Sequence, residues 1–268
     1  MKHLTKQQQK QICSLYKKGL SMYKLSSIYK RTPTGIMDVL KRGKIQSRNL
    51  SEASQKHSLN KDYFKKINNQ NKAYFLGLLY ADGNLSKSSN NISISLDKKD
   101  KHILDKFKEE INSSRKIKLI IKDKSIFKRK DQYRLDITNK IFYKHLLDKN
   151  LHPNKSLTLK YPKIETNLQQ HFIRGYFDGD GCVYSNPKKY DYLVSFVGTK
   201  EFLLETQKHL IKNCKLNKTK LYNPKTQKGN NVYILTYQGR KSVKKIQEFL
   251  YKNSSIYLTR KYKKFKSI

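Results

Sequence analysis

Residues 75–83 read FLGLLYADG, and residues 173–181 read IRGYFDGDG, so the acids Asp82 and Asp180 stand 98 positions apart. The similarity continues downstream in the same order. NISISLD (91–97) followed by DKHILDKF answers YLVSFVG (192–198) followed by KEFLLETQ, QYRLDIT (132–138) answers NVYILTY, and KSLTLKYPKI (155–164) answers IYLTRKYKKF. Four ordered matches at offsets of 98 to 101 residues mark an internal duplication, so about two-thirds of the chain builds one fold twice. Each copy reads helix, strand pair, helix, strand pair, helix. Ile92, Ile94 and Leu96 alternate in one strand and Tyr133, Leu135 and Ile137 in another; the second copy offers Leu193, Ser195 and Val197, then Val232, Ile234 and Thr236. That pattern predicts an α+β fold, with antiparallel sheets covered by helices on one face and open to a ligand on the other. Two such sheets side by side make a long basic saddle.

Small residues recur four apart in both repeated segments, Gly77 with Ala81 and Gly175 with Gly179, and therefore stack on one helical face. An interior glycine costs a helix about 1 kcal/mol relative to alanine, so close packing of the two helices is the expected compensation. Pseudo-two-fold packing through these faces brings Asp82 and Asp180 together at the helix ends, ahead of Gly83 and Gly181. Two anions at the negative ends of helix dipoles repel, and a divalent cation resolves the conflict. Oxygen-only ligation with retained water suits Mg²⁺, and metal-assisted phosphodiester hydrolysis is chemistry that paired carboxylates support.

The chain has 268 residues with 59 Lys+Arg against 20 Asp+Glu, a formal net charge of +39, which points to a polyanionic partner and strongly salt-dependent binding. Cys13, Cys182 and Cys214 are odd in number and widely spaced, which predicts neither a disulfide framework nor a cysteine zinc site. Without an apolar run of membrane-spanning length, the expectation is a protein that does not enter the membrane, cytoplasmic or in an organelle matrix or host cell, and not secreted.

Residues 1–48 read as three short helices: Thr5 to Lys18 with Ile12, Leu15 and Tyr16 on one side, Ser21 to Tyr29 with Leu25 and Ile28 inward, and Thr32 to Arg42. Ser21 caps the second, Thr32-Pro33 starts the third, and Gly43 ends it. This is the spacing of a helix-turn-helix, with Thr34, Gly35, Asp38, Lys41 and Arg42 on the groove-facing side of the third helix. A helical spacer has the same pattern. Residues 49–69 are polar and read as a linker, followed by repeat 1 (70–165) and repeat 2 (166–268).

The paired segments resemble the two motifs of single-chain LAGLIDADG homing endonucleases, and the resemblance covers residues 70 to 268. It implies an αββαββα unit in each half, a β-saddle in the major groove of double-stranded DNA carrying a long specific site, and a monomer. It also implies that Asp82 and Asp180 are the catalytic acids, holding Mg²⁺ or another divalent cation. Tyr80 stands where an earlier aspartate often occurs; Asp178 occupies that position in the second copy and reads as structural. Auxiliary basic residues are expected at Lys98 and Lys200, with Lys155, Lys160, Arg260 and Lys261 as further possibilities. Ser93, Ser95, Lys116, Lys118, Arg134, Lys220 and Tyr222 are expected to face DNA, beside Thr34, Lys41 and Arg42 of the N-terminal module. The function implied is that of an intron-type or mobile-element endonuclease. Two alternatives share the fold: a DNA-binding regulator without cleavage, and an RNA-splicing maturase.

Overall fold

The computed structural model describes residues 4–47, 57–121, 130–224, 231–266 and 268. The chain separates into two compact units, residues 1–57 and 58–268. In the first, helices α1 (Lys6–Lys17), α2 (Met22–Tyr29) and α3 (Pro33–Arg42) enclose a small core of Ile12, Tyr16, Leu25, Ile36, Val39 and Leu40. Each helix starts on a hydroxyl cap: Thr5, Ser21 and Thr32 accept backbone N–H bonds from Gln8, Lys24 and Gly35 at 3.2, 3.1 and 3.1 Å. Leu25 is buried as expected. Ile28 is not: it is 54% exposed, because α2 is only eight residues long and turns a single stripe inward.

The second unit begins earlier than the composition suggests. Residues 49–56 of the expected linker lie outside the described residues, whereas Tyr63, Phe64 and Ile67 are buried in the main core. Their apolar side chains had nowhere else to go. Helix α4 (Gln70–Asp82) runs into the hairpin β1 (Gly83–Ser86) and β2 (Asn91–Asp97), then helix α5 (Lys101–Glu110), strands β3 (Lys118–Ile120) and β4 (Gln132–Thr138), and helix α6 (Lys140–Leu147). The second copy repeats the order with α7 (Gln169–Asp180), β5 (Gly181–Asn186), β6 (Asp191–Gly198), α8 (Lys200–Cys214), β7 (Tyr233–Gln238) and α9 (Arg240–Tyr251), and adds α10 (Thr259–Lys266). The sheets are antiparallel, ordered β1-β2-β4-β3 and β5-β6-β7; in the second, β7 is further bridged at Ile234 by Tyr222. Among the described residues no helix is long and apolar enough to cross a membrane.

The inward face of the first sheet is the expected one, with Ile92, Ile94, Leu96, Leu135 and Ile137 buried. In the second sheet the faces are reversed: Tyr192, Val194, Phe196, Leu235 and Tyr237 are buried, while Leu193, Ser195, Val197, Ile234 and Thr236 point away. The hairpins explain the slip in β6. Gly83 pairs with Ile94, but Gly181 pairs with Phe196, four residues further along, so matching the repeats at an offset of 101 misses the register by one residue. With a side-chain period of two, one residue exchanges the faces.

Candidate active site

The centre of the second unit is the contact between α4 and α7. A Cβ placed on Gly77 would run into the backbone carbonyl of Phe172, and one on Gly175 into that of Tyr74, so the two helix backbones touch where both lack side chains. On Gly179 a Cβ would meet the methyl of Ala81 and a carboxylate oxygen of Asp82. Gly77, Ala81, Gly175 and Gly179 therefore all sit in this seam. Gly83 and Gly181 follow the acids with extended backbone (φ −73° and −83°), so each helix passes directly into a strand instead of ending in a left-handed turn. Glycine is needed there for close approach, since a Cβ would press on the carbonyl of Leu79 or the ring of Phe177.

Asp82 and Asp180 are thus the last residues of two helices in backbone contact. Their carboxyl groups reach solvent, yet protein crowds them on most sides. Burial raises Asp82, the charge of Asp180 adds to the effect, and Lys261, Lys155 and Arg260 oppose it, leaving Asp82 at about 6. Asp180 is raised as well, by burial, against the pull of Lys155 and Lys261. The two acids form one electrostatic unit.

The cations that act on this pair are Lys155, Lys261 and Arg260. Lys155 Nζ donates to the carbonyl of Gly83, and Lys261 Nζ donates to those of Phe177 (2.6 Å), Gly179 (3.2 Å) and Gly181 (2.5 Å). Each lysine closes the helix-to-strand junction behind one acid, a favourable place for a cation at a helix C-terminus. Burial lowers both, Lys261 to about 8, while the nearby carboxylates pull upward. Arg260 Nε donates to Asp100 at 2.8 Å, joining the C-terminal helix of the second copy to the start of α5 in the first. Lys98 and Lys200 are exposed residues that follow β2 and β6, and Lys160 is exposed; none is among the charges that shift the acids. Aligning the repeats pairs Lys160 with Lys261, but the shared carbonyl, Gly83 or Gly181, pairs Lys155 with Lys261. The connections before the two lysines differ in length, which hides their equivalence in the sequence.

Asp178 and Tyr80 occupy equivalent positions and serve different partners. Asp178 is buried and accepts hydrogen bonds from Tyr74 Oη (2.8 Å), Tyr251 Oη (3.1 Å) and the Leu258 N–H (2.7 Å), fixing the backbone that leads to Lys261. Tyr80 donates to the carbonyl of Lys149. Beneath Asp178, the buried Arg174 donates to the carbonyls of Ile256 (2.9 Å) and Leu250 (3.1 Å).

The chemistry of the donors suits a hydrated divalent cation. Asp82 and Asp180 offer oxygen only, and among the described residues no group of three or more His, Cys, Asp or Glu side chains is placed to hold a metal ion. Mg²⁺ commonly binds through one or two carboxylates and keeps its water, whereas zinc and calcium cages need a fuller protein shell.

On the sheets' outer faces, Ser95 and Arg134 lie opposite each other with Lys118 beside Arg134, and Lys116 is exposed just before β3. Arg134 is paired with Asp136 at 2.8 Å. Ser93 has the expected direction but is 4% exposed, set in a row with Asn84 and Asp136, so its hydroxyl is covered. Lys220 is exposed, and Tyr222 is 62% exposed. In the N-terminal unit, Thr34, Lys41 and Arg42 are exposed on α3.

Comparison with known proteins agrees with this duplicated frame. A protein of Methanocaldococcus jannaschii, itself uncharacterised, is 29% identical over 157 residues, 56% of this chain and 55% of that protein, so the match spans about half the relative's length. Among solved structures, the homing endonuclease I-WcaI bound to its DNA recognition sequence superposes with a TM-score of 0.52 at 15% identity, over 76% of this chain and 91% of that one. Full-length DUF199/WhiA from Thermatoga maritima gives 0.47 at 16% identity, over 78% and 63%. The I-WcaI likeness is one of fold. The model of the LAGLIDADG-like domain matches twice, at residues 69–149 and 167–250, the two copies whose motif helices meet at Asp82 and Asp180, and the chain belongs to that family.

Proposed function

We propose that the chain is a divalent-metal-dependent endonuclease that binds double-stranded DNA at a long specific site and hydrolyses a phosphodiester in each strand. One observation carries the reading: two helices in backbone contact hold Asp82 and Asp180 close enough for Asp180 to raise Asp82. An enzyme gains nothing from two crowded anions unless a cation or a phosphate-bound cation joins them. Asp82 and Asp180 would hold Mg²⁺, which when bound neutralises charge at phosphorus and lowers the pKa of water. Lys155 and Lys261 keep the carbonyls behind the acids occupied and hold positive charge beside the scissile phosphate. The outer faces of the sheets, with Ser95, Lys116, Lys118, Arg134, Lys220 and Tyr222, supply the DNA surface, and the net charge of +39 supplies most of the affinity. Thr34, Lys41 and Arg42 on α3 add contacts from the N-terminal unit. Lys98 and Lys200, exposed directly after the second strand of each copy, serve the DNA backbone instead of the acid pair.

Purified chain incubated with Mg²⁺ and a DNA carrying the uninterrupted form of its own locus is expected to cut that DNA. Asp82→Asn and Asp180→Asn each lower cutting by several orders of magnitude while DNA affinity, read by mobility shift, stays within a few-fold. Normal cutting by both variants would falsify the site assignment. A second reading, a DNA-binding regulator without cleavage, draws on the three carbonyls that engage Lys261, an arrangement that equally stabilises a purely structural helix end. Tight binding with no cutting under any divalent cation selects it.

A further inference from the structure

The duplicated sheets carry different chemistry on their outer faces. The rows of the first are polar, with Asn84, Ser95, Lys118, Arg134 and Asp136, and its apolar residues Leu119, Ile120 and Ile121 are confined to the edge strand β3 and its end. The second presents two apolar groups, Tyr184 beside Leu193 and Val197 beside Ile234 and Tyr222, with the polar row of Cys182, Ser195 and Thr236 between them. These are not covered: Tyr184, Val197 and Tyr222 are 42%, 37% and 62% exposed. Exposed lysines border the same sheet, Lys188 and Lys189 at the β5–β6 turn and Lys218 and Lys220 ahead of Tyr222. Apolar groups spaced along a sheet rimmed by cations, on a chain of charge +39, are badly suited to a second copy of the chain, which like charge repels, and well suited to a polyanion with apolar groups between its phosphates. In duplex DNA those groups are the C5-methyls of thymine, which project into the major groove, while the other base edges there offer hydrogen-bonding atoms.

Resting on the DNA-binding reading above, we infer that the second sheet recognises its half of the site through thymine methyl groups, and that the first sheet reads the other half through hydrogen bonds. Leu193, Val197 and Ile234 are the methyl-contacting residues; Tyr184 and Tyr222 flank them. The recognition site is therefore chemically lopsided although the protein is a duplication, with thymines concentrated in one half.

The test is selection of a randomised duplex library by the full chain in EDTA, so that binding is read apart from cutting. Enriched duplexes are expected to be thymine-rich in one half. Replacing thymidine by deoxyuridine in that half should weaken binding about fourfold for each contacted methyl, and the same replacement in the other half should leave affinity within twofold. The double variant Val197→Ser with Ile234→Ser, both at exposed or half-exposed strand positions, should keep the fold by circular dichroism and lower the uracil sensitivity of that half alone, with Leu193 keeping its share. Thymine balanced between halves, equal uracil effects in both, or a double variant with unchanged sensitivity overturns the methyl reading and leaves DNA binding intact. If no duplex is enriched, DNA recognition itself fails, and this inference falls with it.

Discussion

Asp82 is held in the fold at about 6, above the 3.8 of an unstrained aspartate, by burial and by Asp180. Between those values the folded chain keeps a proton that the unfolded chain has lost, so this group's contribution to stability falls as pH rises through that window, and the full penalty is present above about 6. Asp82→Asn removes the penalty. In EDTA, thermal melts should show the variant melting above the wild type at pH 8, with the gap closing as pH falls through 6 and gone near pH 4; a constant gap would contradict the electrostatic origin. The acids themselves were legible in the sequence, since both repeats end a glycine-spaced segment in Asp-Gly. Lys155 was one of several candidate lysines there, and its pairing with Lys261 was not legible, because their equivalence is set by the carbonyls they reach, Gly83 and Gly181, and not by aligned position.

At the scale of elements, the seam between α4 and α7 has no room for one more carbon at Gly77 or Gly175. Gly175→Ala is expected to destabilise the second unit by on the order of 3 kcal/mol in urea denaturation, although alanine favours an isolated helix. The same change at Gly239, whose φ of +84° is strained for any side chain but where a Cβ meets nothing, should cost about 1 kcal/mol. Helix starts were readable from Thr5, Ser21 and Thr32, because an N-cap is a local bond between a hydroxyl and a backbone three residues on. The face of β6 was not readable from the repeat alignment, since it depends on a hairpin four residues longer than its counterpart.

For the whole molecule, the charge of +39 predicts steep salt dependence: affinity for duplex DNA should fall roughly a thousandfold or more between about 50 and 200 mM salt if six or more phosphates are neutralised. Removing residues 1–48 should lower affinity and flatten that slope while Asp82- and Asp180-dependent cutting persists; unchanged affinity would mean that α1 to α3 form a spacer. The amino-acid sequence alone determined the duplication, the fold class, the pair of acids and the strong excess of positive charge, because periodicity, small-residue spacing and charge are properties of the chain itself. Tertiary structure decided which lysines stand behind the acids, which side of the second sheet is open, and that the segment from Ser58 joins the core. Those outcomes depend on loop lengths and on contacts between residues far apart in the chain, and local pattern does not encode them.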